Sequence, residues 1–235
     1  IPSEILKIAQ KFMGDYEIVE EEGHEEEPLL IDQQYWLVRG NERIEALIRI
    51  IDYSPDFYGI VFVQRKSDAD MVSKVLDEKG YQAAALHGDI AQSQREKIIA
   101  RFRSRKTRIL VATDVAARGI DIEGLTHVVN YEMPFDGPTY VHRIGRTGRA
   151  GSSGIAITLV RPEEQRRLRY LQNAVKKSAK GEMVEGKIPT VEEVIDAKKT
   201  RLFDDIKQKL GLKSSSQVQD EDAMSVSDGN SDSKD

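Results

Sequence analysis

The 235 residues suffice for one large or two small domains, and 39% hydrophobic with 32% charged content describes a globular protein with a polar excess. The absence of cysteine excludes disulfides, thiolate catalysis and cysteine-bound zinc, and the four scattered histidines form no metal-ligand pair at helical spacing. No stretch approaches the ~18 apolar residues of a membrane span, so the expectation is a cytoplasmic protein with no membrane partner.

The formal net charge of −5 is unevenly distributed. Residues 1–27 hold nine acidic residues against two basic, and residues 213–235 hold six against two, which leaves 25 acidic and 31 basic residues in 28–212. A basic middle between acidic flanks is expected of a phosphate-binding core, although surplus lysine and arginine that only solvate helix faces would give the same count.

The chain opens at Ile1 without an initiator methionine and reads as a piece cut from a longer protein. Ile5, Ile8, Ala9 and Phe12 predict a short helix over 3–12, and Glu20 to Glu27 form an acidic loop. From Pro28 strands and helices alternate. Residues 33–38 read as a strand, and Ile44, Leu47, Ile48 and Ile51 stripe one face of a helix. Gly59–Val63 is a buried strand, followed by a helix that starts at Ser67 with Asp70 and stops at Gly80. Gln82–His87 is the next strand, and Ser93 with Glu96 suggests a capping box opening a helix that buries Ile98, Ile99 and Phe102.

Arg108–Thr113 and Thr126–Tyr131 are further strands, and Asp136-Gly137-Pro138 starts a helix. Gly154–Val160 is a strand, and Leu168, Leu171 and Val175 stripe the helix after it. A capping box at Thr190 and Glu193 opens a last helix carrying Val194, Ile195, Leu202, Ile206 and Leu210, which either packs on the domain or begins an appendage. Residues 213–235, rich in Ser and Asp, are expected to be disordered. The alternation predicts an α/β fold with a mostly parallel sheet covered by helices on both faces, with its ligands at the carboxyl ends of the strands.

Three groups of residues reach that edge. Thr113-Asp114-Val115-Ala116-Ala117-Arg118-Gly119-Ile120-Asp121 offers a hydroxyl, two carboxylates, an arginine and a flexible glycine, suited to phosphate and sugar hydroxyls. A polar strand-to-helix loop with internal ion pairs fits that stretch equally well. His142-Arg143-Ile144-Gly145-Arg146-Thr147-Gly148-Arg149 is sharper: three arginines spaced by three, with glycines that let the backbone turn so that the guanidinium forks point outward together to phosphate oxygens. His87-Gly88-Asp89, followed by Gln94 and Arg95, permits close backbone approach to a phosphate, though capping and turn chemistry also explain it. Gln64-Arg65-Lys66 is a basic pair that fits a solvated surface. No G-x-x-x-x-G-K-[ST] loop or Asp-Glu-Ala-Asp box occurs, so the chain is not expected to be a complete ATPase.

Together these motifs resemble the second RecA-like domain of DEAD-box ATP-dependent RNA helicases over roughly residues 30–177. Ala112 to Asp121 looks like the family's motif V, and His142 to Arg149 matches motif VI along its length. Leu86 to Asp89 with Gln94 and Arg95 looks like motif IVa, and Val61 to Lys66 resembles motif IV but departs from it at Gln64-Arg65-Lys66. The resemblance implies a RecA-like three-layer sandwich. Residues 1–29 would be the end of the first motor domain with an interdomain linker, 178–212 a charged helical extension, and 213–235 a tail.

It also implies roles. Arg146 and Arg149 act as arginine fingers toward ATP, His142 links to the first domain's catalytic motifs, and Gly119 and Asp121 bind the nucleotide. Thr113, His87, Gly88, Asp89 and Arg65 hold RNA, while Gln94, Arg95, Asp114, Arg118 and Arg143 organise the site. ATP with Mg2+ is bound mainly by a first RecA-like domain outside this chain, no metal is bound by this half, and the extension offers a surface for protein partners. Two other readings stay open: a non-catalytic RNA-binding or scaffold module, and half of a DNA-directed helicase.

Overall fold

The computed structural model describes residues 3–13, 30–120, 122, 124–148, 153–177 and 181–210. Eight α-helices and seven strands alternate among them: α1 (Ser3–Met13), β1 (Ile31–Leu37), α2 (Arg43–Tyr53), β2 (Gly59–Val63), α3 (Lys66–Glu78), β3 (Ala83–Leu86), α4 (Gln92–Arg103), β4 (Ile109–Thr113), α5 (Asp114–Ala117), β5 (His127–Asn130), α6 (Gly137–Ile144), β6 (Gly154–Val160), α7 (Gln165–Lys177), β7 (Met183–Glu185) and α8 (Val191–Lys209). The strands form one sheet in the order β3-β4-β2-β5-β6-β1-β7. Every pairing is parallel.

The apolar runs explain why the middle of this sheet is covered on both sides. β2 (GIVFV) and β4 (ILVAT) are buried at every residue, which requires helices over both faces. On one face Val61, Val63, Val111, Val129 and Leu159 pack with Leu47 and Ile50 of α2 and Val72 and Leu76 of α3. On the other, Ile60, Phe62, Leu110 and Val128 meet Phe102 of α4 and Ala116 of α5. Further along that second face, Ala156 and Val160 meet Tyr140 of α6 and Leu168, Leu171 and Val175 of α7. The result is the expected RecA-like α/β sandwich of three layers.

Several helix boundaries follow the chemistry read from the sequence. Asp136 Oδ1 accepts from the Thr139 backbone N–H at 2.8 Å, with Pro138 in the first turn. Thr190 and Glu193 form the reciprocal capping box of α8, at 3.2 and 2.6 Å. The box expected at Ser93 does not form: α4 begins two residues earlier, with Ala91 as its N-cap, so Ser93 lies inside the helix. Likewise α3 starts at Lys66, and Asp70 turns its carboxylate to His87 instead of the helix start.

The segment after α7 is not purely helical. β7 adds a seventh strand beside β1, in register Gln33↔Met183, Gln34↔Val184 and Tyr35↔Glu185. α8 then lies along α2, held by Lys198 Nζ on Asp52 Oδ2 (2.6 Å) and by the Arg201 guanidinium on the Asp52 carbonyl. Of the apolar residues expected on α8 only Val194 is buried; Ile195, Leu202, Ile206 and Leu210 are exposed. The acidic loop at 20–27 and the stretch 213–235 lie outside the described residues.

Candidate functional site

The carboxyl end of β2, the turn of α5 that follows β4, and α6 build a small open cleft. Phe62, Asp114, Ala117, Arg118, Thr139, His142, Arg143 and Arg146 line it. At its floor Arg143 is 2% exposed. Its Nε and Nη2 donate to Asp114 Oδ1 and Oδ2 at 2.7 and 2.8 Å, a bidentate fork. Its Nη1 donates to Asn130 Oδ1 and to the Glu132 carbonyl, both at 2.9 Å. The guanidinium carbon stands 4.9 Å from the centroid of the Phe62 ring. This one side chain joins α6 to the ends of β2, β4 and β5.

The three arginines of the 142–149 stretch therefore do not point outward together. Arg143 is turned inward, where the half-exposed Asp114 carboxylate, the buried Asn130 amide and a backbone carbonyl satisfy it. Arg146 is half-buried at the cleft and donates Nη1 to the Ile120 carbonyl at 2.9 Å. His142 is exposed beside it, and Arg149 lies outside the described residues, as does Asp121. Gly145 has an ordinary helical φ of −63°. The glycine whose conformation matters is Gly148: its φ is +67°, and a Cβ there would stand 2.6 Å from Ile31 Cγ1.

At the neighbouring strand ends, Thr113 is buried at the start of α5, and Arg118 is exposed after it. Gly119 takes φ +72° with nothing within 4 Å of a Cβ position, leaving open space at the cleft edge. Arg95 of α4 donates Nη2 to the Ala116 carbonyl at 2.6 Å, tying the two helices together, while Gln94 is exposed. His87 is buried, and both its nitrogens are engaged within the domain. Nδ1 accepts from the Asp89 N–H at 3.4 Å, so Nε2 is the donor to Asp70 Oδ1 at 2.9 Å. Gly88 and Asp89 are exposed, and Asp89 pairs with Lys66 Nζ; that hydrogen bond holds its carboxyl below the usual range. Arg65 is exposed at the N-cap of α3.

The sequence reading missed Asn130 and Glu132, and it read Gln64, which is exposed, as surface without its bonds to the strand ends. The Gln64 backbone N–H donates to Glu132 Oε2 (2.6 Å) and its Nε2 to the Met133 carbonyl (2.9 Å). An asparagine ending the apolar run His127-Val128-Val129-Asn130 was the available signal, since a buried amide needs a partner.

A family model, the helicase conserved C-terminal domain, matches residues 42–151. The Escherichia coli DEAD-box protein SrmB, solved bound to the regulator of ribonuclease activity A, is 35% identical with a TM-score of 0.61, and the match covers 70% of this chain and 93% of that one. The chain belongs to the DEAD-box helicase family. Among curated DEAD-box relatives, the ATP-dependent RNA helicase CshA of Limosilactobacillus reuteri is 43% identical over 206 residues, 88% of this chain and 41% of the relative. Saccharomyces cerevisiae Dbp5 bound to RNA and ADP BeF3 is 29% identical with a TM-score of 0.68, covering 85% of this chain and 52% of that one. The chain thus spans less than half the length of the curated DEAD-box relatives it matches.

Proposed function

We propose that this chain is the C-terminal motor half of an ATP-dependent RNA helicase, and that Arg146 and Arg149 complete an ATP site whose other wall is a first RecA-like domain. The observation that carries the reading is the burial of Arg143 against Asp114, Asn130 and Glu132, which fixes the end of α6 so that His142 and Arg146 flank the cleft. The donors there suit an anionic phosphate. Arg118 is exposed, Arg146 lines the cleft, and the open space at Gly119 leaves room for a bulky ligand. ATP bound between the halves would supply the phosphoryl group to be transferred to water. Mg2+ accompanying the ATP would be held mainly by the other half.

In this reading Arg146 and Arg149 donate to charge that develops on the transferred phosphate, which can contribute ~10³–10⁵ in rate. Asp121 and Gly119 meet the nucleotide's sugar side, and His142 contacts the first domain. RNA lies along the ends of β2, β3 and β4, against Arg65, Gly88, Asp89 and Thr113. Because the His87 ring is spent on Asp70 and Asp89, its contribution is the backbone beside Gly88. Contacts of this kind read phosphate and ribose, so binding is largely independent of sequence. Closure of the two halves on ATP and RNA then strains a short duplex locally. Relatives named as RNA helicases, and a Dbp5 solved with RNA, support RNA over DNA. The exposed apolar residues of α8 would serve protein partners.

The test uses the full-length protein. Arg146→Ala is expected to lower RNA-stimulated kcat for ATP hydrolysis by about 10³-fold with little change in RNA affinity. Hydrolysis at the wild-type rate would remove the arginine-finger assignment.

A further inference from the structure

α7 reads QRRLRYLQNAVKK, with five basic residues and no carboxylate. Leu168, Leu171 and Val175 bury one side against α6 and the sheet. At 3.6 residues per turn, Arg166, Arg169, Tyr170, Asn173 and Lys176 fall together on the opposite side, over roughly a third of the helix circumference. All five are exposed, Tyr170 at 68%. Among the described residues no ion pair or hydrogen bond occupies Arg166, Arg169 or Lys176. The carboxylates just before the helix are already engaged: Glu163 by Arg161, and Glu164 by Arg161 and Arg43.

A second aromatic ring stands at the upper end of this face. Phe135, in the loop after β5, is 85% exposed. Arg167 of α7 donates Nη2 to the Pro134 carbonyl at 2.8 Å and sets its guanidinium 5.7 Å from the Phe135 centroid, propping the ring outward. β5 and β6 end at the same edge of the parallel sheet as β2, β3 and β4, so Phe135 and the first turn of α7 lie at that edge while the helix runs away from it. A carboxylate-free cationic face interleaved with exposed rings matches what single-stranded nucleic acid offers: phosphates for the cations and flat base faces for the rings. An acidic peptide would use the cations but leave both rings without a planar partner.

We propose that the outer face of α7, with Phe135 at its upper end, is a second RNA-binding surface that holds a single-stranded segment flanking the one gripped at the cleft. Arg166, Arg169 and Lys176 bind its phosphates, and Phe135 and Tyr170 stack on its bases. The proposal rests on the reading that the full protein acts on RNA.

The test titrates the 235-residue chain with fluorescein-labelled oligouridines of about 6 and about 20 nucleotides, followed by anisotropy at several salt concentrations. About 20 nucleotides exceeds the ~4–16 of one compact single-strand site. The Arg166→Ala/Arg169→Ala/Lys176→Ala variant is expected to bind the long RNA at least tenfold more weakly. Its log–log salt slope should be shallower by about 2, from three lost phosphate contacts at roughly 0.7 each. Phe135→Ala and Tyr170→Ala should each weaken the long RNA about fivefold, Tyr170→Phe should restore it, and the short RNA should be unaffected throughout. Wild-type affinity and slope in the triple variant, equal loss on both lengths, or no binding of the long RNA by the chain would each overturn the proposal. Failure here leaves the ATPase loss expected of Arg146→Ala untouched, whereas failure of the arginine-finger assignment leaves this length-dependent RNA binding in place.

Discussion

Arg143 carries a permanent charge into the interior, and four of its N–H groups meet acceptors on three different residues. Removing it strands a carboxylate, an amide and a carbonyl, so Arg143→Ala is expected to cost about 3–5 kcal/mol in urea denaturation. Arg143→Lys should recover less than half of that, because a point charge cannot span the fork and the third acceptor together. His127 presents the opposite case. Its ring stacks on Phe57 at 4.8 Å between the Ser54 and Thr126 hydroxyls, and burial pushes its pKa down from 6.5 to about 4. The unfolded chain therefore binds a proton at a pH where the folded one does not. Stability from this group is complete above about pH 6.5, falls as pH drops, and bottoms out near pH 4, a loss on the order of 3 kcal/mol. Melting temperatures between pH 7 and pH 4.5 should show this slope in the wild type and a shallower one in His127→Gln. Arg143 and Asp114 were visible in the sequence, but their pairing was not, since Asp114, Asn130 and Glu132 come together around Arg143 only through the sheet order.

Among the elements, apolar runs were the most legible feature. Gly59–Val63 and Gly154–Val160 appear with the expected limits, since a strand buried on both faces leaves an uninterrupted hydrophobic signature. Caps were less legible, because a Ser-x-x-Glu pattern does not say whether its serine precedes the helix or sits within it, as Ser93 does. β7 was missed since three residues with one buried side chain, Met183, leave no periodicity to read. Gly148 could be marked as a turn, but its crowding by Ile31 depends on β1 lying beside β6. Gly148→Ala is expected to destabilise by about 2–3 kcal/mol in thermal melts. Adding Ile31→Ala should relieve the clash yet leave the cost of a positive φ, so the double variant should not regain wild-type stability.

For the whole molecule, parallel order places every strand's carboxyl end on one side, and this made the location of the cleft legible before its geometry was. What could not be read was which arginine faces inward, a matter decided by where the Asp114 carboxylate and the buried Asn130 amide come together. Unequal packing across the layers carries a dynamic expectation. β2, β4, β5 and β6 are enclosed on both faces, whereas α8 buries only Val194 and is held mainly by polar contacts to Asp52. Hydrogen exchange should be slowest in those four strands and markedly faster in α8 than in α2, and Thr190→Ala, worth about 1 kcal/mol at the cap, should accelerate α8 alone. Uniform protection of α2 and α8 would contradict this order.

The late arrival of β7 bears on where the chain can be divided. A protein shortened to end at Lys177 would lose Met183 from the interior and bare the amides and carbonyls of β1 along Gln33 to Tyr35, beside the ring of Trp36. Such a bared margin is a template for another molecule's strand. Light scattering of the shortened form should report self-association that the 235-residue chain does not share, since three residues of β7 stopper the sheet where it would otherwise stick.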